Sequence, residues 1–97
     1  MLFVIHAHDK PDGGAGRQAH RARHLEYLES KAAMVRTAGP LLSDDGERMV
    51  GSMLVVEAPD KAAAKAFAEG DPFHANGVFA KVEIHAWRAS VGSVSFA

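Results

Sequence analysis

From Val78 to Trp87 the chain alternates, with Val78, Ala80, Val82, Ile84 and Ala86 on one side and Phe79, Lys81, Glu83, His85 and Trp87 on the other. A period of two held over that length marks a β-strand with two different faces. The face of small and branched apolar residues has to pack on a core. The opposite face mixes charges with the rings of Phe79 and Trp87, and large apolar groups there need a cover of their own. A strand of this kind commits the rest of the chain to a sheet that helices cover from one side.

The other segments supply that sheet. Leu2-Phe3-Val4-Ile5-His6-Ala7-His8 is short, apolar and rich in strand formers, and it runs into the turn residues Asp9-Lys10-Pro11-Asp12-Gly13-Gly14. This predicts a first strand and a glycine-rich loop. From about Gly16 to Thr37, Ala22, Leu25, Leu28, Ala32 and Val35 recur at three- and four-residue steps, which predicts one long helix. Ala38-Gly39-Pro40 is expected to end it, and Leu41-Leu42 to open a second strand. Ser43-Asp44-Asp45-Gly46-Glu47 carries hairpin-turn chemistry, and Met49 to Ala58 is long enough for a central third strand. Asp60 is placed to cap a second, alanine-rich helix that runs to Gly70.

The predicted order is β-α-β-β-α-β, an α+β, ferredoxin-like plan in which a four-stranded antiparallel sheet carries two helices on one face. The uncovered face, with Phe79 and Trp87, predicts a partner, most simply a second copy in a two-fold homodimer. A chain of 97 residues has room for a single domain, 1–97, with a core over about 1–88. Residues 89–97, with Val91, Val94 and Phe96, are expected to form an arm over that face or over the neighbouring subunit.

Charge and composition narrow the function. Eleven Lys and Arg against twelve Asp and Glu leave a net charge of −1, so no general field gathers nucleic acid or an anionic membrane. The absence of cysteine removes disulfides, thiolate metal sites and cysteine nucleophiles, and fits a cytoplasmic setting. The apolar run Leu2 to Ile5 falls far short of the ~20 residues of a membrane-spanning helix. Six histidines stand out, because imidazole titrates nearest to neutrality.

The first helix holds the most informative group. Arg17, Arg21, His24 and Leu28 lie four, three and four residues apart, which places two guanidiniums and an imidazole along one strip at the rim of the apolar stripe. Arginines near the positive end of a helix can clamp a carboxylate or phosphate, although a solvated basic face has the same spacing. Asp71 precedes Pro72-Phe73, so its backbone is held extended at the end of the second helix. On a common sheet face Asp71 and His24 can meet, and a carboxylate on one ring nitrogen fixes the tautomer and leaves the other to move a proton. Asp-Pro also simply closes turns. Gly51 within a strand marks either a close approach or a bulge, and the Ser52 hydroxyl beside it can orient an oxygen.

Rival chemistries are weaker. His6 and His8 share a strand face, and His74 or His85 can join them, yet H-E-x-x-H is missing and no carboxylate stands at a recognisable ligand spacing, so no metal is expected. Gly13-Gly14-Ala15-Gly16 lacks the Lys-Ser/Thr of a phosphate loop, and no G-x-S-x-G elbow supports a serine triad.

The strand Leu2-Phe3-Val4-Ile5, the set Arg17, Arg21, His24 and Leu25, and then Ala38-Gly39-Pro40-Leu41, Gly51-Ser52, Asp71-Pro72-Phe73, Gly77-Val78-Phe79, Val82 and Ile84 follow in an order and spacing that resembles the YciI-like (YCII-related domain) family of the dimeric α+β barrel superfamily. The resemblance spans nearly the whole chain. It implies a ferredoxin-like protomer, similar to muconolactone isomerase, that pairs through its sheet. It also implies a His–Asp active site at the matching positions, His24 and Asp71, since one relative dehydrochlorinates a chlorinated hydroxyhydroquinone by acid–base chemistry. The glycine-rich stretch Gly13 to Gly16 and the tail beyond Trp87 depart from the family pattern.

The expectation is a small cofactor-independent lyase or isomerase. His24 transfers a proton, Asp71 orients it, Arg17 and Arg21 hold an anionic or phenolic substrate, Ser52 adds a hydrogen bond and Phe73 walls the pocket. The alternative is a non-catalytic module that binds a small anion in the same pocket.

Overall fold

The computed structural model describes residues 1–92, in the order β1 (Leu2–Asp9), α1 (Gly13–Ser30), β2 (Val35–Leu42), β3 (Met49–Glu57), α2 (Lys61–Gly70), a one-turn α3 (Pro72–Ala75) and β4 (Phe79–Trp87). The strands lie side by side as β2-β3-β1-β4, every pair antiparallel. Two split β-α-β units are therefore interleaved, as a ferredoxin-like fold requires.

Alternation in the strands sets the core. Phe3, Ile5 and Ala7 of β1 point to the helices and are buried, and the pairings Phe3–Val56 and Ile5–Leu54 bring the apolar side of β3 onto the same face. Ala64, Phe67 and Ala68 of α2 close over them at helical spacing, with Tyr27 and Leu28 of α1 alongside. Full burial of a ring such as Phe3 or Phe67 contributes ~1.5–3 kcal/mol. The Asp60 carboxylate caps α2, accepting from the Ala63 N–H at 2.8 Å.

Three features differ from the sequence expectation. First, Gly13 to Gly16 form the opening turn of α1 rather than a loop. A side chain at Gly13 would stand 3.0 Å from Asp9 Cβ and 3.1 Å from the Val78 carbonyl oxygen, so the glycine lets the helix start hard against β1 and the segment before β4.

Second, α1 stops at Ser30, and Val35 to Leu42 is a strand. The Met34 and Val35 amides both turn back to the Lys31 carbonyl, and the Met34 carbonyl accepts from Glu57 N–H at 2.7 Å, which ties the start of β2 to β3. Gly39 and Pro40 end nothing: β2 is an edge strand, where a proline's missing N–H is tolerated.

Third, the β1–β4 register slips between His8 and Asp9, so that Lys81 lies opposite His8 but Phe79 opposite Asp9. The extra residue turns Phe79 to the helix side, its ring meeting the Phe73 ring edge-on at 6.0 Å. The uncovered face thus carries Trp87, as expected, but not Phe79. Its other residues include Leu2, Val4, His6 and His8 of β1, Met53 and Val55 of β3, and Lys81, Glu83 and His85 of β4.

Residues 88–92 form no helix or strand, and the remainder of the expected arm, 93–97, lies outside the described residues. Among the described residues no helix is long and apolar enough to cross a membrane.

Candidate functional site

The turn between α2 and α3 is built on Asp71. Its backbone is extended (φ −65°, ψ 127°), as a residue before proline must be, and its side chain caps α3 by accepting from the Phe73 N–H at 2.9 Å. The same oxygen, Oδ1, lies 2.7 Å from His24 Nδ1. Both side chains are buried, the imidazole 10% and the carboxylate 4% exposed, so the pair is shielded from competing water. With the carboxylate ionised, Nδ1 carries the hydrogen and donates it, which leaves the lone pair on Nε2. Every fully buried side-chain nitrogen or oxygen among the described residues has a partner, and Nε2 makes no hydrogen bond to them, so it opens to solvent.

The imidazole is also held flat. It stacks on Phe73 with centroids 3.9 Å apart and planes 11° apart, while the Arg17 guanidinium sits 4.8 Å from the Phe73 centroid. One turn after His24, the Tyr27 hydroxyl donates to the Phe67 carbonyl at 2.7 Å. Burial pushes the Tyr27 pKa up, and the negative charge of Asp71 raises it further.

Arg17 is engaged more fully than its spacing suggested. Nε and Nη2 donate to the two oxygens of Asp9 at 2.8 and 2.9 Å, and Nη2 also donates to Ser52 Oγ at 2.9 Å. All three residues are buried or nearly so, and only Nη1 of the guanidinium is left for a ligand. Ser52 therefore steadies Arg17. At Gly51 an added Cβ would collide with the Ala7 carbonyl oxygen, so the close approach is that of the neighbouring β1 backbone, and a register slip between Leu41 and Leu42 lies alongside.

Two adjoining clefts open here. The smaller, about 160 Å³, is lined by His24, Phe73, Arg17, Arg21, Leu28 and Pro40 among others. The larger, about 590 Å³, shares Arg17 and Arg21 and adds Lys10, Gln18 and Arg48. Lys10, Arg21 and Arg48 form no ion pair with the described residues, and Asp9 is occupied by Arg17, so the cleft is electropositive. The residues brought together are thus His24, Asp71, Phe73, Arg17 and Arg21, with Ser52 beneath them.

Asp9, Lys10 and Arg48 were missed by sequence reasoning. Asp9 was legible, because it continues the inward phase of Phe3, Ile5 and Ala7, and a charge at a core-facing position demands a partner. Lys10 and Arg48 come from a loop and a hairpin, and no spacing in the chain links them.

A second group of titratable side chains lies on the opposite face of the sheet. His6 and His8 stand beside Glu83, with Nδ1 of His6 3.9 Å and Nε2 of His8 3.4 Å from Glu83 Oε1. Lys81, chiefly, and the hydrogen bond with His8 hold the Glu83 carboxyl below its usual range.

The strand order and the helices on one face define a class of small α+β proteins of ferredoxin-like type, and in this chain a His–Asp pair lies beside a cationic cleft. This chain belongs to the YCII-related domain family, whose model matches residues 1–88. It is similar to Protein YciI of Escherichia coli, 34% identical over 91 residues, which covers 87% of this chain and 93% of the relative. An uncharacterised protein of Haemophilus influenzae is 36% identical over 89 residues, covering 84% and 91%. Among solved structures, the 5-chloro-2-hydroxyhydroquinone dehydrochlorinase of Burkholderia phenoliruptrix, in complex with 2,5-dihydroxybenzoquinone, matches with a TM-score of 0.84 and 35% identity over 93% of this chain and 96% of that one.

Proposed function

We propose that the protein is an acid–base enzyme acting on a small phenolic or anionic substrate, with His24 as the proton-transfer group and Asp71 orienting it. The observation that carries this reading is the 2.7 Å bond from His24 Nδ1 to Asp71, which leaves Nε2 open beside a cationic cleft. Arg21, with Lys10 and Arg48, draws an anionic oxygen toward the imidazole, and Nη1 of Arg17 completes the donor set.

The structural likeness to a dehydrochlorinase favours a chlorinated polyphenol as substrate. Loss of HCl from such a ring needs two proton movements. A hydroxyl proton shifts to the chlorine-bearing carbon; a second hydroxyl proton is then removed as chloride departs with the C–Cl bonding pair, giving a quinone. His24 serves both steps, as acceptor and donor in turn.

The test is chloride release from chlorinated hydroxyhydroquinones by the wild type and by His24→Gln. Release that falls by roughly 10²–10⁴ in the variant, with folding intact, supports the reading. Equal turnover by both proteins removes His24 from the mechanism. Binding of 2,5-dihydroxybenzoquinone with no turnover of any chlorinated phenol replaces the enzyme by a binding module.

A second copy covering the open sheet face completes the proposal, because Trp87, Met53 and Leu2 contribute large apolar groups to it. Light scattering after size exclusion is expected to give twice the chain mass, and the monomer mass would refute the arrangement.

A further inference from the structure

We infer that the open face of the sheet carries a divalent transition-metal site, ligated by His6 and His8 of β1 and by Glu83 of β4. The argument begins with the strand. Residues two apart on a β-strand project from the same face, so His6 and His8 are neighbours by construction, their ring centroids 4.2 Å apart. The antiparallel register then places Glu83 directly across from His6. No spacing in the linear sequence announces this carboxylate, because it enters from β4, 75 residues beyond His8.

The geometry suits a metal. The three ligand atoms lie within 4.8 Å of one another, with separations of 3.4 Å from His8 to Glu83 and 3.9 Å from His6 to Glu83. Ligands bound at ~2.0–2.1 Å in a tetrahedron stand about 3.3 Å apart, so the observed atoms need only small side-chain rotations to close on an ion. β1 is paired on both sides, by β3 and β4, which fixes the Cα positions under all three ligands. Two imidazoles and one carboxylate form a borderline donor set that favours zinc, nickel or copper over magnesium or calcium. His85, whose Nε2 is 3.8 Å from the other Glu83 oxygen, can supply the fourth position, or water can.

The surroundings add a reason. Leu2, Val4, Met53, Val55 and Trp87 line this face beside Lys81 and His85, and Val55 is fully buried. Covering the face would bury an ionised Glu83, and a metal ion would neutralise it at closer range than an ammonium does while engaging both imidazoles. Lys81 Nζ, 3.8 Å from Glu83 Oε1, is the cation that competes for the same oxygen. The site is on the opposite side of the sheet from His24 and does not rest on the proposed activity.

The experiment uses the full chain, free of any affinity tag and cleared of metal, titrated with zinc alone by calorimetry at neutral pH. Cobalt is added in a second series to read the coordination geometry by visible absorption. The expected result is one ion per chain, with His8→Gln and Glu83→Gln each weakening binding by about tenfold or more, and Lys81→Ala tightening it. His6, His8 and Glu83 are each a third or more exposed, so these variants empty no core, and a thermal melt checks their folding. Folded protein that takes up no zinc at saturating excess overturns the inference. So does binding that survives His8→Gln and Glu83→Gln but is lost with His24→Gln.

Discussion

Asp9→Asn isolates the charge beneath the site. In the native protein the Arg17 side chain, 8% exposed, gives two charge-assisted hydrogen bonds to Asp9, at 2.8 and 2.9 Å, and one to Ser52 at 2.9 Å. An asparagine keeps the shape and one acceptor oxygen but leaves the cation without a counter-charge. Removing one partner of a buried ion pair costs ~3–5 kcal/mol, and the retained acceptor puts this case near ~3 kcal/mol. Against the ~5–15 kcal/mol of a typical domain this is a large fraction. With a urea slope of ~1–3 kcal/mol/M it lowers the unfolding midpoint by ~1–3 M. At ~4–8 °C per kcal/mol it lowers Tm by ~12–24 °C. Urea unfolding followed by far-ultraviolet circular dichroism, at one fixed protein concentration, reads the shift. The double variant Asp9→Asn with Arg17→Met removes the stranded charge, so its loss is expected to fall short of the sum of the two single losses by more than ~1 kcal/mol. A loss under ~1 kcal/mol for Asp9→Asn, the size of an exposed pair, or simple additivity in the double variant, would refute the reasoning.

Tyr27 is the single tyrosine of the chain, so its ionisation is read alone by ultraviolet absorption. Its midpoint is expected above the ordinary value of 10.0; because the folded value is raised, the associated stability is present below the unfolded pKa and is lost as pH rises through the folded one. Asp71→Asn should bring the midpoint part of the way down, since burial, the larger cause, persists; an unchanged midpoint would refute the electrostatic contribution to Tyr27. Gly51→Ala is expected to cost ~1–3 kcal/mol or more, because the new methyl meets the Ala7 carbonyl, and a neutral result in urea unfolding would contradict the close β1–β3 approach. Arg21→Gln is expected to weaken binding of 2,5-dihydroxybenzoquinone about tenfold by calorimetry with an unchanged Tm, as loss of an exposed charged donor should; undiminished affinity would move the ligand elsewhere.

The elements that sequence reading placed well were those with a strong local code. Asp60 announces a cap, Ser43 to Glu47 a hairpin, and Val82 and Ile84 an inward face. The end of α1 had no such code. Ala32, Ala33 and Met34 suit a helix, and it is contacts across the fold, the bond from Glu57 N–H to the Met34 carbonyl and the pairing of Val35 with Val56, that begin β2 there. Phe79 failed for a similar reason: alternation gives its face only while the register is unbroken, and the slip at His8 and Asp9 is invisible in β4 alone. The His24–Asp71 pairing was inferred from helix phase, the pre-proline backbone and the family resemblance together. Arg17 stands near the positive end of α1, which suits an anion clamp, and its actual partner Asp9 sits in the sequence at the head of a run of turn residues.

One atom, Asp71 Oδ1, receives both the imidazole N–H and the amide that opens α3. A carboxylate on its own turns through a broad torsional well. Two donors converging on one oxygen, from directions set by different parts of the backbone, remove that freedom. The aim of the Nε2 lone pair is therefore established when the chain turns at Pro72, before any ligand arrives. Loosening that turn would blur the direction in which Nε2 points even with every side chain of the cleft intact.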